Sequence, residues 1–320
     1  MTKDRMKKLA ARAYAEQHGV PYTQALREVA AARTSTQTDS PPAVAPALAR
    51  TSPFTRMSLL PTQMTVLDGL LGGGLPRGEV TALWAPTGTG TSMFGLTLAR
   101  MTAKAAQHAV VVTAESATSM YVERIIAATT GIATRDLARG VPLPDSWPPD
   151  WQAYLHLYDP ERLPTDPRQT ANELRADAMQ TGRAPTLIVI DDLRPFQIYA
   201  TDAPEVFADL ARDLQAAVVV IDALPSALCR TEPSEPDEFD DISTFGWPHR
   251  VPEASELLAS EQTEVLARTA TTTLILTEQD ARPGDEFVVL DVTVRTGGGP
   301  GGITQVRRDG PRARILVGAR

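Results

Sequence analysis

The chain has 320 residues, 42% hydrophobic and 22% charged, which supplies enough apolar surface for one large domain or two smaller ones. A net charge of −8 excludes a protein that coats nucleic acid with its whole surface, although a few basic residues in a central channel remain compatible with it. The single cysteine, Cys229, excludes an internal disulfide and a cysteine-based zinc site, and His18, His108, His156 and His249 show no metal-ligand spacing.

No stretch approaches the ~18 uninterrupted apolar positions of a membrane-crossing helix, and Met1 to Ala10 is basic and polar with no apolar signal segment behind it. A cytoplasmic protein with no membrane partner is expected. Residues 1–33 divide at Gly19-Val20-Pro21 into two short helical patterns. The first carries Lys3, Arg5, Lys7, Lys8 and Arg12, and the second opens at Thr23, a suitable N-cap. This basic hairpin or arm can grip DNA or dock on a partner. A loosely ordered basic arm fits the same residues, since so short a pair buries little. Residues 34–55 are rich in Thr, Pro and Ala, including Pro41, Pro42, Pro46 and Pro53, and read as a semi-extended linker. The folded domain is assigned to 56–320.

Within that domain the organising stretch is Leu67 to Thr97, LDGLLGGGLPRGEVTALWAPTGTGTSMFGLT. A glycine-rich lead-in runs into a strand, Val80 to Trp84, then a loop of small residues, then a helix from about Ser92. The loop, Ala85 to Ser92, lies over the phosphate-binding pattern G-x-x-x-x-G-K-[ST] with two departures: Ala85 replaces the first glycine and Thr91 replaces the lysine. Gly88 and Gly90 still allow positive φ, which turns backbone N–H groups inward, and a helix N-terminus favours an anion. Gly88, Thr89, Gly90, Thr91 and Ser92 are therefore the candidate nucleotide-binding residues, with the Ser92 hydroxyl offered to Mg²⁺. The missing ammonium removes one charge-assisted contact worth roughly 1.5–3 kcal/mol. Lys104, 13 residues further on, lies roughly 20 Å away by helical rise and does not replace it. A strand-to-helix turn that binds nothing accounts for the same residues.

Beyond the loop, strands alternate with helices. A strand at Ala109 to Thr113 delivers Glu115; helices follow at Ser119 to Thr129 and near Ala133 to Ala138. Pro142 to Trp151 is a Pro- and Trp-rich excursion, and Tyr154 to Tyr158 a short strand. A helix at Thr170 to Thr181 precedes the apolar strand that ends in Asp191 and Asp192. A helix at Pro204 to Leu214 leads to a strand, Ala217 to Ile221, ending at Asp222. The alternation predicts an α/β fold with a mostly parallel sheet flanked by helices on both faces, ligands sitting at the carboxyl ends of the strands. The segment 231–241 carries Glu232, Glu235, Asp237, Glu238, Asp240 and Asp241 and no base, and reads as a solvated loop. One helix, Glu253 to Thr269, then two strands, Thr272 to Thr277 and Glu286 to Val294, and a final hairpin, Ile303 to Arg307 with Ala313 to Val317, complete the chain.

Taken in order, LDGLLGGGLPRGEV, TAES, TTGIATRDLARG, LIVIDDL, SELLASEQTEVLART and VTVRTGGGPGG resemble the RecA-like ATPases. Within them the match is to the C-terminal motor domain of DnaB-type replicative helicases, with the RadA and KaiC branch next. It covers about Leu59 to Val317. The resemblance implies ATP and Mg²⁺ as ligands. It makes Glu115 the carboxylate that polarises the attacking water, Asp191 the one that orients Mg²⁺, and Arg295 the arginine inserted into a neighbouring subunit's site. Asp192 fits either a metal neighbour or a helix-capping acid, the second preferred, and Arg124 reads as a support of its helix through a salt bridge.

Four departures weigh against a fully active motor. Thr91 replaces the loop lysine, and Thr293 the lysine two residues before Arg295. Ala223 stands where the family has a glutamine that senses the γ phosphate. The loop that in the family faces DNA is here the acidic segment 231–241, which repels a phosphate backbone. Two readings follow. One is a pseudo-ATPase acting as an accessory or interaction protein in replication or recombination, with weak or absent nucleotide binding. The other is an active ATP-dependent, DNA helicase-like or recombinase-like ATPase completed by self-association into a ring or filament.

Overall fold

The computed structural model describes residues 58–113, 118–158, 166–197, 201–225, 228, 251–261, 263–279 and 287–317. The chain divides into Met1–Arg56 and Met57–Arg320, and every described residue belongs to the second unit. The expected basic arm, the linker, Glu115 and the acidic segment 231–241 all lie outside the described residues.

Strand β1 (Leu59–Leu60), helix α1 (Thr65–Leu71) and strand β2 (Leu75–Pro76) form the lead-in, with β1 and β2 antiparallel. Gly72 ends α1 in the left-handed conformation at φ 78°, a backbone shape that glycine adopts without steric cost. Strand β3 (Val80–Ala85) feeds the loop, and helix α2 (Thr91–Lys104) leaves it. Strand β4 (Ala109–Thr113), helix α3 (Thr118–Thr130), the short helix α4 (Thr134–Leu137), a 3-10 turn at Asp150–Tyr154 and strand β5 (Leu155–Tyr158) follow.

Helix α5 (Pro167–Thr181) starts three residues before its expected N-terminus, because Asp166 accepts a hydrogen bond from the Arg168 amide at 2.8 Å and Pro167 suits the first turn. Strand β6 (Leu187–Asp191), helix α6 (Arg194–Gln197), helix α7 (Ala203–Leu214) and strand β7 (Ala217–Ala223) continue the alternation.

The single helix expected over Glu253 to Thr269 is instead two, α8 (Ala254–Ala259) and α9 (Glu264–Thr269). Ser260 is extended at the junction, and the buried Thr263 hydroxyl donates to the Leu257 carbonyl, ending the first helix locally. The last strands are β8 (Thr272–Glu278), β9 (Val288–Thr296), β10 (Gly302–Asp309) and β11 (Arg314–Val317).

Among the described residues the central sheet has nine strands in the order β11-β10-β9-β8-β3-β7-β6-β4-β5. The six from β8 to β5 run parallel, and β9, β10 and β11 extend the sheet antiparallel. Each parallel strand splits its apolar side chains between two cores: Leu83, Val111 and Val189 face one, Ala82, Val110 and Ile188 the other. Helices cover both faces, so the central strands read as continuous apolar runs without a polar stripe. Helix α2 lies very close to the sheet at Gly95, where an added Cβ would sit 2.7 Å from Ile221 Cδ1 and 3.0 Å from Val189 Cγ1. That close approach fixes where the loop before α2 meets the ends of β6 and β7.

Candidate functional site

The loop between β3 and α2 has the backbone the sequence anticipates: φ is 90° at Gly88 and 108° at Gly90. The Thr89 amide donates to the Pro86 carbonyl at 3.2 Å, closing a turn, and the Phe94 amide donates to the Gly90 carbonyl at 2.9 Å, starting the helix. The first-turn amides of α2 have no acceptor within the helix, which leaves a partial positive charge there. Thr91 opens the helix where a lysine would stand in the pattern.

A cleft of about 170 Å³ lies between this loop and the ends of β6 and β7. Gly88, Thr91, Ser92 and Asp191 all line it, so the structure brings together four of the residues singled out by sequence. Thr89 is fully buried beside it, and Gly90 packs against an arginine on the loop's outer side. Arg295 is not among the lining residues. Its Nη2 donates to the Pro252 carbonyl at 2.7 Å, next to a separate pocket bordered by Trp84 and Leu257.

Asp191 is the centre of the site's hydrogen bonding. Its Oδ1 accepts from the Ser92 hydroxyl at 3.1 Å and its Oδ2 from the Tyr121 phenol at 2.7 Å. Burial pushes the Asp191 carboxyl above its ordinary range, opposed by the two hydrogen bonds and reinforced by the Asp192 charge. Burial, followed by the Asp191 charge, pushes the Tyr121 phenol well above its ordinary value. The Arg124 guanidinium sits 5.7 Å from the Tyr121 ring centroid, a cation-π contact where the sequence suggested a salt bridge.

Asp192 caps α6 as expected: its Oδ1 accepts from the Arg194 amide at 2.9 Å, and its Oδ2 from Arg194 Nε at 2.8 Å. Asp222, next to last in β7, has its carboxyl raised to about 7, first by burial and then by the Asp192 charge. Its Oδ1 accepts from the Ala223 amide at 2.8 Å. The Ala223 methyl, where the resemblance expects a glutamine, offers the cleft no hydrogen-bonding side chain.

Three functional neighbours escape sequence reasoning. Arg194 is the cationic side chain lining the cleft, though the loop itself lacks one. Tyr121 reaches Asp191 across 70 positions of chain. Arg308, on β10, donates from Nη1 to the carbonyls of Gly88 and Thr89, both at 2.7 Å, and pairs through Nη2 with Glu278 at 3.1 Å. No local motif marks any of them, because each is aimed at the site by a different element of the sheet or its helices.

The geometry fits a phosphate and a hydrated divalent cation in one respect and departs in another. The glycine conformations, the helix start and the Ser92–Asp191 pair suit the two ligands, while Thr91 supplies no charge to a terminal phosphate.

No curated protein sequence matches the chain. Among solved structures, it is similar to one described as an ATPase domain, 13% identical, with a TM-score of 0.62 over 93% of this chain and 99% of that one. It is also similar to a DnaB-like replicative helicase whose interactions with primase were described, 14% identical, with a TM-score of 0.61 over 98% of this chain and 76% of that one. A KaiC-like protein from the hyperthermophilic archaeon Pyrococcus horikoshii OT3, 12% identical, has a TM-score of 0.53 over 82% of this chain and 100% of that one. These likenesses establish a RecA-like fold. The family model for the DnaB-like helicase C-terminal domain matches residues 60–236, more than half of the chain, and the chain belongs to that family.

Proposed function

We propose that this chain is a divergent member of its family. It keeps a phosphate-binding scaffold, holds MgATP weakly with little or no turnover, and serves replication or recombination as an accessory protein. The observation that carries this reading is the combination of a retained Ser92–Asp191 pair with Thr91 in the lysine position of the loop. Gly88 to Ser92 would cradle the phosphates, and Ser92 with Asp191 would hold the hydrated Mg²⁺. The ion would supply charge neutralisation between the phosphates. In this reading the basic residues within 1–33 would be offered to a protein partner. The charge of the acidic segment 231–241 disfavours DNA as a partner, and a cytoplasmic setting is part of this reading.

A second reading is an active ATPase completed by a neighbouring copy. It requires Arg295 to enter another subunit's site. The bond from Arg295 to Pro252 argues against it, since the guanidinium must first leave that carbonyl.

The test is equilibrium binding of MgATP to the full chain, with turnover followed in the same samples. Weak binding is expected, tightened roughly tenfold to a hundredfold by Thr91→Lys through one restored charge-assisted contact. Turnover by the native chain that Asp191→Asn abolishes would establish the active enzyme and overturn the accessory reading. Absence of binding in both the native chain and Thr91→Lys would remove nucleotide from the proposal.

A further inference from the structure

We infer that Arg308 is a positioning residue which takes over the structural part of the missing lysine's task, clasping the loop from outside the cleft so that its backbone is preset for an anion. The antiparallel extension of the sheet makes this contact available. Strand β10 runs back toward the end from which β3 leaves the sheet, and Arg308 pairs with Val288 at the start of β9. Glu278 closes β8, which runs parallel beside β3. The guanidinium therefore lies between the loop and the Glu278 carboxylate. Its side chain is 16% exposed and that of Glu278 only 9%.

Three features make this more than a surface contact. First, Arg308 Nη1 binds two successive carbonyls, those of Gly88 and Thr89. A trans peptide points its C=O and the following N–H in opposite directions, so holding the Thr89 carbonyl turns the Gly90 amide away from Arg308. Second, Gly90 has φ 108°, and a Cβ there would lie 3.0 Å from Arg308 Cδ. The glycine is needed both for the backbone shape and for the arginine's approach. Third, Glu278 fixes the other terminal nitrogen, Nη2, so the fork is oriented before any ligand arrives. Arg308 supplies order where Thr91 supplies none, and it couples the loop to a strand 220 positions away in sequence.

The clasp itself stands on geometry; only its consequence for ATP rests on the proposed nucleotide reading. The experiment therefore has two readouts on the full chain: amide hydrogen exchange over residues 86–94, and equilibrium binding of MgATP. Arg308→Met keeps length without charge and is expected to speed exchange of the loop amides at least tenfold and to weaken MgATP binding by a similar factor. Arg308→Lys is expected to retain part of both. Arg307→Met, at the exposed neighbouring position, changes neither. Loop exchange within twofold of the native chain in Arg308→Met overturns the clasp, whatever ATP does. Faster loop exchange in Arg308→Met, when the native chain binds no MgATP, upholds the clasp and defeats the nucleotide reading. Should Arg308→Met fail to fold, Arg308→Lys and Glu278→Gln carry the same test, and unchanged loop exchange in both overturns the inference.

Discussion

The Tyr121 phenol donates to Asp191 Oδ2 at 2.7 Å, so the carboxylate at the end of β6 has both oxygens occupied, one by Tyr121 and the other by Ser92. Helix α3 thereby holds the acid that the family resemblance assigns to Mg²⁺. Removing this one hydroxyl with Tyr121→Phe leaves a buried acceptor unpaired. The expected loss is about 1–3 kcal/mol of stability, measured by urea unfolding. A change below a few tenths would mean that water reaches Oδ2 and replaces the phenol.

Asp191→Asn separates folding from ligand binding at the same position. Asp191 is 4% exposed and burial raises its carboxyl pKa, so ionisation at neutral pH opposes folding. An asparagine carries no charge and can still accept the Ser92 hydrogen bond. Its thermal midpoint at pH 7 should match or exceed that of the native chain, while any Mg²⁺-dependent tightening of ATP binding falls at least tenfold. A large fall in midpoint would show that the carboxylate's charge is needed for the fold.

Asp222 sets a pH dependence with a definite sign. Its carboxyl is raised to about 7 in the folded chain against 3.8 as the reference, chiefly by burial. The unfolded chain therefore releases this proton first as pH rises. The stability that the neutral form contributes is complete below about pH 4 and is lost on passing through about pH 7. The loss is of order 4 kcal/mol at most by linkage. Asp222→Asn, which keeps an oxygen for the Ala223 amide, should gain stability relative to the native chain between pH 4 and 7. Parallel stability curves for the two proteins across that range would refute the assignment.

Gly299 and Gly298 offer a paired test of the loop after β9. A Cβ at Gly299 would lie 2.6 Å from the Leu70 carbonyl oxygen and 2.7 Å from the Gly72 amide nitrogen, both backbone atoms, while a Cβ at Gly298 meets nothing within 4 Å. Gly299→Ala should cost about 1–3 kcal/mol, the usual range for overpacking, as the loop is forced off α1. Gly298→Ala should change stability by less than ~0.5 kcal/mol. Equal effects from the two would mean that the loop shifts freely on α1.

Much of the fold is legible because local physics and global topology agree along most of the chain. The runs Ala109 to Thr113, Leu187 to Asp191 and Ala217 to Ile221 are too short and too β-branched for helices, and their alternation with amphipathic segments leaves a parallel sheet as the consistent outcome. Local signals mislead over Glu253 to Thr269. Helical periodicity continues through Ser260, but the buried Thr263 finds a partner in the Leu257 carbonyl and the helix ends there.

By itself the sequence determined the strand–loop–helix unit, the positive-φ glycines, the loss of the loop lysine at Thr91, and the acids at the carboxyl ends of β6 and β7. Each of these is written within a few neighbouring residues and follows from backbone sterics and periodicity. Only the tertiary structure decided that Tyr121 occupies Asp191, that Arg194 lines the cleft, that Arg295 rests on Pro252, and that Arg308 clasps the loop from β10. The reason is physical. A side chain's partner depends on where other strands end and at what register. Antiparallel pairing of β9 and β10 places Arg308 beside a loop 220 positions earlier in the chain.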